Sequence, residues 1–319
     1  MSGRERSPRI FNRSKSRRQD AQSKQEMITR GAHALMAKQF TERIGQLEGT
    51  EPRLAAAMKD LLSRPGSLVR AVTAYLLGIV MGLSQEAAEC LGCGIEYLHT
   101  ASLVFDDLPS MDNALLRRGA PSLHAAHGEA VSILAALALV NRGYTLLWKG
   151  INDAAPARRL EASEWIQSKL GIHGVLGGQA WDIHGSSESS TTADVSRIAA
   201  RKTADLLRLT LVLPAIVGQG TRREITLLDR LALLRGVAYQ AADDLKDAFA
   251  TETQSGKSGG RDQELQRPNL LSSEGADGAK IRCRRLIAIG DRVMGKLPGP
   301  ASRWKMLENL RVAAPVSIT

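Results

Sequence analysis

The chain has 319 residues, 43% of them hydrophobic and 24% charged, which is enough for one large buried core. Its formal charge of +10 is concentrated at the start, where residues 1–24 hold 8 Lys/Arg and 2 Asp/Glu, so the remainder is only mildly basic. With 4% aromatic residues the chain has few platforms for stacking bases, which argues against a nucleic-acid partner.

Residues 1–25 are polar and charged, with too few branched apolar side chains to offset the entropy of ordering them, and are expected to form a disordered basic tail. They lack the apolar core of a secretory signal, and Glu5 and Asp20 weaken a transit-peptide reading, so the expected location is cytoplasmic. From residue 26 to 319 a single all-α domain is expected. Apolar residues recur at helical spacing in Leu91, Ile95 and Leu98 and again in Leu206, Leu209, Leu213 and Ile216, while alternating strand patterns are scarce.

The longest apolar stretch, residues 71–83, is 13 residues against the roughly 20 of a bilayer span, so no transmembrane segment is expected. Pro65, Pro109 and Pro121 mark helix ends or loops, and only Pro156 and Pro214 intervene before Pro268, leaving room for several long helices. Residues 254–261, rich in Gly, Ser and Lys, read as an exposed loop. Cys90, Cys93 and Cys283 are too few for a disulfide framework, and Cys90 and Cys93 lack a second Cys/His pair for zinc, so they read as small core residues.

Two acidic runs interrupt the apolar pattern. Asp106-Asp107-Leu-Pro-Ser-Met-Asp112 follows a long apolar helix and precedes Arg117-Arg118-Gly119; in Asp243-Asp244-Leu-Lys-Asp247 the i, i+4 spacing puts Asp243 and Asp247 one turn apart on one face. Either run alone fits a solvated helix end. Together they fit Mg²⁺, a hard cation held by one or two carboxylates plus phosphate oxygens, clamping a diphosphate. Metal-bound diphosphate is a good leaving group, and an allylic ester ionises to a delocalised cation without an acid or a protein nucleophile. His99 is seven residues before Asp106, two turns along the same stripe.

In these runs the chain resembles the trans-prenyl diphosphate synthases, over roughly residues 60–275. The resemblance extends through EYLHTASLVFDDLPSMDNALLRRG, GGQAWD (177–182), Lys202-Thr203, YQAADDLKD and the GKSGGRD stretch from Gly256. It implies a single helical bundle of the isoprenoid synthase type with a central cavity, closest to bacterial geranylgeranyl diphosphate synthases of carotenoid pathways, acting as a homodimer on isopentenyl diphosphate and an allylic prenyl diphosphate. It further implies Mg²⁺, three ions per site, on Asp106, Asp107, Asp112, Asp243, Asp244 and Asp247; Arg117, Lys202 and Lys257 on the allylic diphosphate; Arg70, His99 and Arg118 on isopentenyl diphosphate; and Thr203 and Gln240, with Lys202, at the reacting carbons.

The chain departs from the family pattern where Ser67 stands for a lysine ahead of Arg70, at a cost of about 1.5–3 kcal/mol in isopentenyl diphosphate binding if uncompensated. Arg267 and Asn269 likewise replace a lysine and a threonine. These changes keep open a terpene-cyclase-like enzyme on the same fold and a non-catalytic partner subunit. For chain length, Ala101, about 7.5 Å below Asp106, is too small to stop a growing tail, and Leu98, about one turn deeper on the same stripe, sets the expected product at C20, geranylgeranyl diphosphate.

Overall fold

The computed structural model describes residues 9–152, 154–185, 189–249 and 267–312, the side chains of residues 9–22, 24, 25 and 247–249 excepted. The elements are α1 (Arg9–Glu42), α2 (Pro52–Ser63), α3 (Val69–Val80), α4 (Gln85–Asp106), a hairpin of β1 (Leu116–Arg117) and β2 (Ala120–Pro121), α5 (Leu123–His127), α6 (Glu129–Ile151), α7 (Pro156–Leu170), α8 (Val175–His184), α9 (Thr192–Ala199), a π-helical turn (Ala200–Ala204), α10 (Asp205–Val217), α11 (Arg222–Phe249), α12 (Leu270–Met294) and a 3₁₀ segment (Ala301–Leu310). The all-α expectation holds. The backbone of residues 9–25 is helical, where composition led to an expectation of disorder; Arg, Lys, Gln and Ala there are strong helix formers.

The bundle is built around α4. Ser84 caps it, its hydroxyl accepting from the Ala87 amide at 3.2 Å, and every residue from Ala87 to Leu98 is buried. A helix apolar on all sides needs neighbours on all sides. Leu91, Ile95 and Leu98 belong to one core cluster, shared with residues of α3, α6, α7, α10 and α11; Cys90, Cys93, Tyr97 and Ala101 belong to a second, shared with residues of α1, α2, α3 and α6. Each large side chain so buried adds about 1.5–3 kcal/mol.

α6 lies close along α4: a Cβ at Gly143 would stand 2.9 Å from Leu98 Cγ, and one at Gly150 would stand 2.5 Å from Leu91 Cδ2. Among the described residues α6 is the one helix long and apolar enough by composition to cross a membrane, a segment longer than the 13-residue stretch singled out above. Its apolarity has two sources, because one face packs on α4 and another leaves Ile133, Leu134, Leu137 and Trp148 exposed. Of the two intervening prolines, Pro156 opens α7 and Pro214 lies within the last turn of α10.

Candidate active site

The first acidic run sits where α4 runs out of backbone partners. The Asp106 carbonyl accepts from the Asp112 amide at 2.9 Å and the Asp107 carbonyl from the Ala114 amide at 3.1 Å, so the loop folds back and returns Asp112 beside Asp106. Burial lifts the Asp106 carboxyl to about 6; Lys202 opposes the shift and the Asp112 charge adds to it.

The hairpin that follows pairs Leu116 with Pro121 and Arg117 with Ala120, leaving Arg118 (φ 56°) and Gly119 (φ 75°) as a two-residue turn with positive φ at both positions. This turn sends the adjacent arginines in different directions. Arg117 grips Asp107, its Nε 3.0 Å from both carboxylate oxygens and its Nη2 also on Oδ1. Arg118 lays its guanidinium on Gly66, where a Cβ would stand 2.1 Å from Nη1.

Beyond Gly66, α3 begins at Leu68 in the left-handed region (φ 50°) without a side-chain cap of its own. Glu96 of α4 supplies one, accepting from the Ala71 amide at 3.0 Å. That contact docks Arg70 beside His99, Nη1 to Nε2 3.0 Å. Burial lowers both basic groups, and Arg70 and Arg118 depress His99 further, so His99 is a neutral imidazole. Arg70 Nε and His99 Nδ1 are buried with no protein partner. Ser67 is exposed and the pocket has no lysine in its place.

Lys202 and Thr203 lie in the π turn. Lys202 Nζ donates to Asp182 Oδ2 at 2.5 Å; burial disfavours its charge, but Asp182, Asp106 and Asp112 outweigh that and raise it above the ordinary lysine range. The Thr203 hydroxyl donates to Gln240 Oε1 at 2.6 Å, and Gln240 Nε2 donates to Asp244 Oδ1 at 2.9 Å. Lys202 thus addresses the first acidic run and Thr203 the second.

A four-residue strap ties the two runs together. Arg267, 6% exposed, donates to the carbonyls of Met111 (3.2 Å) and Asp182 (3.1 Å) and stands 3.6 Å from Asp112 Oδ1. Three residues on, the Leu270 amide donates to Asp244 Oδ2 at 3.0 Å. Three residues of chain reach about 10 Å at most, which bounds the separation of the Arg267 and Leu270 Cα atoms, with the length of the arginine side chain added to it.

The structure shows the surroundings of the expected site residues. Asp107 and Asp244, grouped with the metal ligands, each have both carboxylate oxygens engaged by protein donors. Arg117, expected on the allylic diphosphate, is the partner of Asp107. Lys257 lies outside the described residues, as does the side chain of Asp247. Ala101 and Leu98 are both buried, Ala101 in the cluster that holds Phe40, Tyr97 and Val104 and Leu98 in the one that holds Leu147 and Leu206. The residue four before Asp106 on the face of His99 is Ser102, half-buried. Asp182, Glu96 and the bridging role of Arg267 were missed; an acid in the otherwise uncharged GGQAWD run was the available signal for Asp182.

Two acidic runs linked through one strap, a lysine held by Asp182, and a buried Arg70–His99 pair belong to an all-helical bundle of the isoprenoid synthase type. The chain belongs to the polyprenyl synthetase family, the trans-prenyl diphosphate synthases, whose family model matches residues 51–287. It is 36% identical over 240 residues to a farnesyl diphosphate synthase of Geobacillus stearothermophilus, covering 73% of this chain and 80% of the relative. It is 31% identical over 277 residues to a geranylgeranyl diphosphate synthase of Rhodobacter capsulatus, covering 86% and 91%. A solved FPP/GFPP synthase of Zymomonas mobilis superposes with a TM-score of 0.72 at 26% identity, over 90% of this chain and 97% of that one.

Proposed function

We propose that the chain condenses isopentenyl diphosphate with an allylic prenyl diphosphate and that its main product is geranylgeranyl diphosphate. The observation that carries this reading is the strap from Arg267 to Leu270, which touches the first acidic run at Met111 and the second at Asp244. The donor set fits Mg²⁺. Asp106, Asp112 and Asp182 crowd one corner, and burial pushes Asp106 up to about 6, an imbalance that a divalent cation relieves. Among the described residues no three carboxylates stand close enough together to hold a metal by themselves, so the ion would be held by one or two of them plus substrate phosphate oxygens. Asp106, Asp112 and Asp243 are the candidates to hold it, with Asp107 and Asp244 bracing them. Three ions per site is the count carried by the family resemblance. Held there, Mg²⁺ would supply the positive charge that offsets what grows on the departing diphosphate.

The protein's own groups do the rest. Lys202, kept charged by its acids, binds the allylic diphosphate. Arg70, Arg118 and neutral His99 take the isopentenyl diphosphate, the orphaned Arg70 Nε and His99 Nδ1 being ready for an anion that the free protein lacks. The Thr203 and Gln240 oxygens border the reacting carbons without a nucleophile strong enough to trap a cation. The allylic carbon–oxygen bond breaks, the isopentenyl double bond attacks, and the proton leaves to the released pyrophosphate.

Incubation with Mg²⁺, isopentenyl diphosphate and farnesyl diphosphate should yield a C20 diphosphate, and excess EDTA should abolish turnover. A cyclic hydrocarbon or no turnover refutes the reading. Since Ser102 shares the His99 face about 6 Å below Asp106, Ser102→Phe should shorten the product by at least one isoprene unit. Ala101→Phe, forced into a packed cluster, should instead cost about 1–3 kcal/mol of stability, read by thermal melts, with product length unchanged.

The exposed stripe of Ile133, Leu134, Leu137 and Trp148 on α6 supports self-association as a homodimer. Leu134→Asp with Leu137→Asp should give a monomer by light scattering; an unchanged mass would exclude this face.

A further inference from the structure

The GGQAWD run contributes Asp182 to the site, but its glycines have no part in the chemistry above. A Cβ at Gly178 would stand 2.3 Å from the Lys202 amide nitrogen and 2.7 Å from Arg201 Cβ, so the backbone of α8 touches the wide turn directly. From the α11 side, a Cβ at Gly236 would stand 2.3 Å from Ala204 Cβ and 2.4 Å from Ala204 Cα. Gly178 is one turn before Asp182, the partner of Lys202, and Gly236 is one turn before Gln240, the partner of Thr203. Each neighbouring helix therefore offers a glycine for the backbone of the turn and, one turn later on the same face, the side chain that receives one of its functional groups.

The turn is anchored at both ends. A π turn carries i→i+5 hydrogen bonds and one residue more than an α turn, and persists where tertiary contacts hold it. Before it, α9 is fixed by a reciprocal Thr191–Asp194 cap and by buried Val195, Ile198 and Ala199. After it, Asp205 is 3% exposed and meets Arg208 at 2.9 Å and Lys169 at 3.7 Å, and Arg208 forks onto Asp229 at 2.6 and 3.0 Å. With both flanks pinned, the extra residue is taken up between 200 and 204.

We propose that Gly178 and Gly236 are positioning residues that seat this turn so that Lys202 faces the first acidic run while Thr203 faces the second. The proposal rests on the diphosphate-handling reading of the site. Each glycine admits a backbone that any Cβ would displace, and displacement turns Lys202 away from Asp182 or Thr203 away from Gln240.

The test compares Gly178→Ala and Gly236→Ala with Gly31→Ala, a helical glycine with nothing within 4 Å of its Cβ position. Steady-state kinetics should show kcat lowered by about tenfold or more, as misplacement of a catalytic group does, with the KM for isopentenyl diphosphate within about twofold of wild type because Arg70, His99 and Arg118 lie off the turn. Calorimetry with Mg²⁺ and inorganic pyrophosphate should show about tenfold weaker binding. Values equal to those of Gly31→Ala overturn the proposal, as does a kcat loss matched by a rise in the isopentenyl diphosphate KM, which marks general damage. If an alanine variant loses its cooperative melt, deletion of Ala200 decides: pyrophosphate affinity lost with the melt retained supports the proposal, and wild-type affinity overturns it. A wild-type chain that binds magnesium pyrophosphate but elongates nothing sinks the functional reading alone, and the pyrophosphate comparison still judges the glycines.

Discussion

Asp106→Asn should lower kcat by about three orders of magnitude while leaving the metal-free protein as stable as wild type or more so. The activity loss follows from removing a carboxylate that holds Mg²⁺ against the leaving diphosphate, a contribution of several kcal/mol, of which about 4 kcal/mol corresponds to a thousandfold. The stability gain follows from the environment of Asp106. Its carboxyl is raised to about 6, burial first and Asp112 adding, so folding disfavours its ionised form. A carboxyl raised on folding contributes stability that is full below its unfolded pKa of about 4 and is lost as the pH climbs through about 6. In EDTA, therefore, the asparagine variant should melt above wild type at pH 7.5, and the difference should vanish near pH 4. A variant that melts lower at pH 7.5 would mean that Asp106 is favourably paired without metal, and the crowding argument would fail.

The same acids show what the sequence carried and what it could not. Asp106, Asp112 and Lys202 were legible because charged residues in apolar helical surroundings need a reason to be there, and two acidic runs with adjacent arginines share one. The all-α fold was legible from periodicity, since Leu91, Ile95, Leu98 and Leu206, Leu209, Leu213 recur every three or four residues and are all buried. Partner choice was not. Asp107 is chemically identical to Asp106, and only the hairpin turn at Arg118-Gly119 decides that Arg117 closes on it. Asp244 is spent on Gln240 and Leu270, one of them 26 residues away. Depth along α4 places Ala101, but azimuth needs a second measure: a five-residue step from Asp106 turns about 140°, the four-residue step to Ser102 about 40°. The π turn has no local signature either, because its cause is the pair of close backbone contacts from α8 and α11.

Arg267→Met tests whether the strap, rather than either acidic run alone, assembles the site. Arg267 spans 156 positions to reach Met111 and 85 to reach Asp182, so no local element substitutes for it. Hydrogen bonds from a charged donor are worth about 1.5–3 kcal/mol each. Two are lost, leaving buried carbonyls unsatisfied, but desolvation of the guanidinium, whose Nε has no partner, offsets part of the loss. The net destabilisation should be about 3 kcal/mol, measured by urea denaturation. Activity should fall further than stability alone explains, by about a hundredfold in kcat, because Asp112 loses its contact with Arg267 and the first run can shift against Asp243. Arg267→Lys separates charge from geometry: an ammonium keeps the attraction to Asp112 but lacks the planar fork that reaches two carbonyls at once, so it should recover about half of the lost stability and most of the rate. If methionine leaves both the denaturation midpoint and kcat at wild-type values, the strap is a bystander, and the two acidic runs must be held together by the packing of α4, α8 and α11 alone.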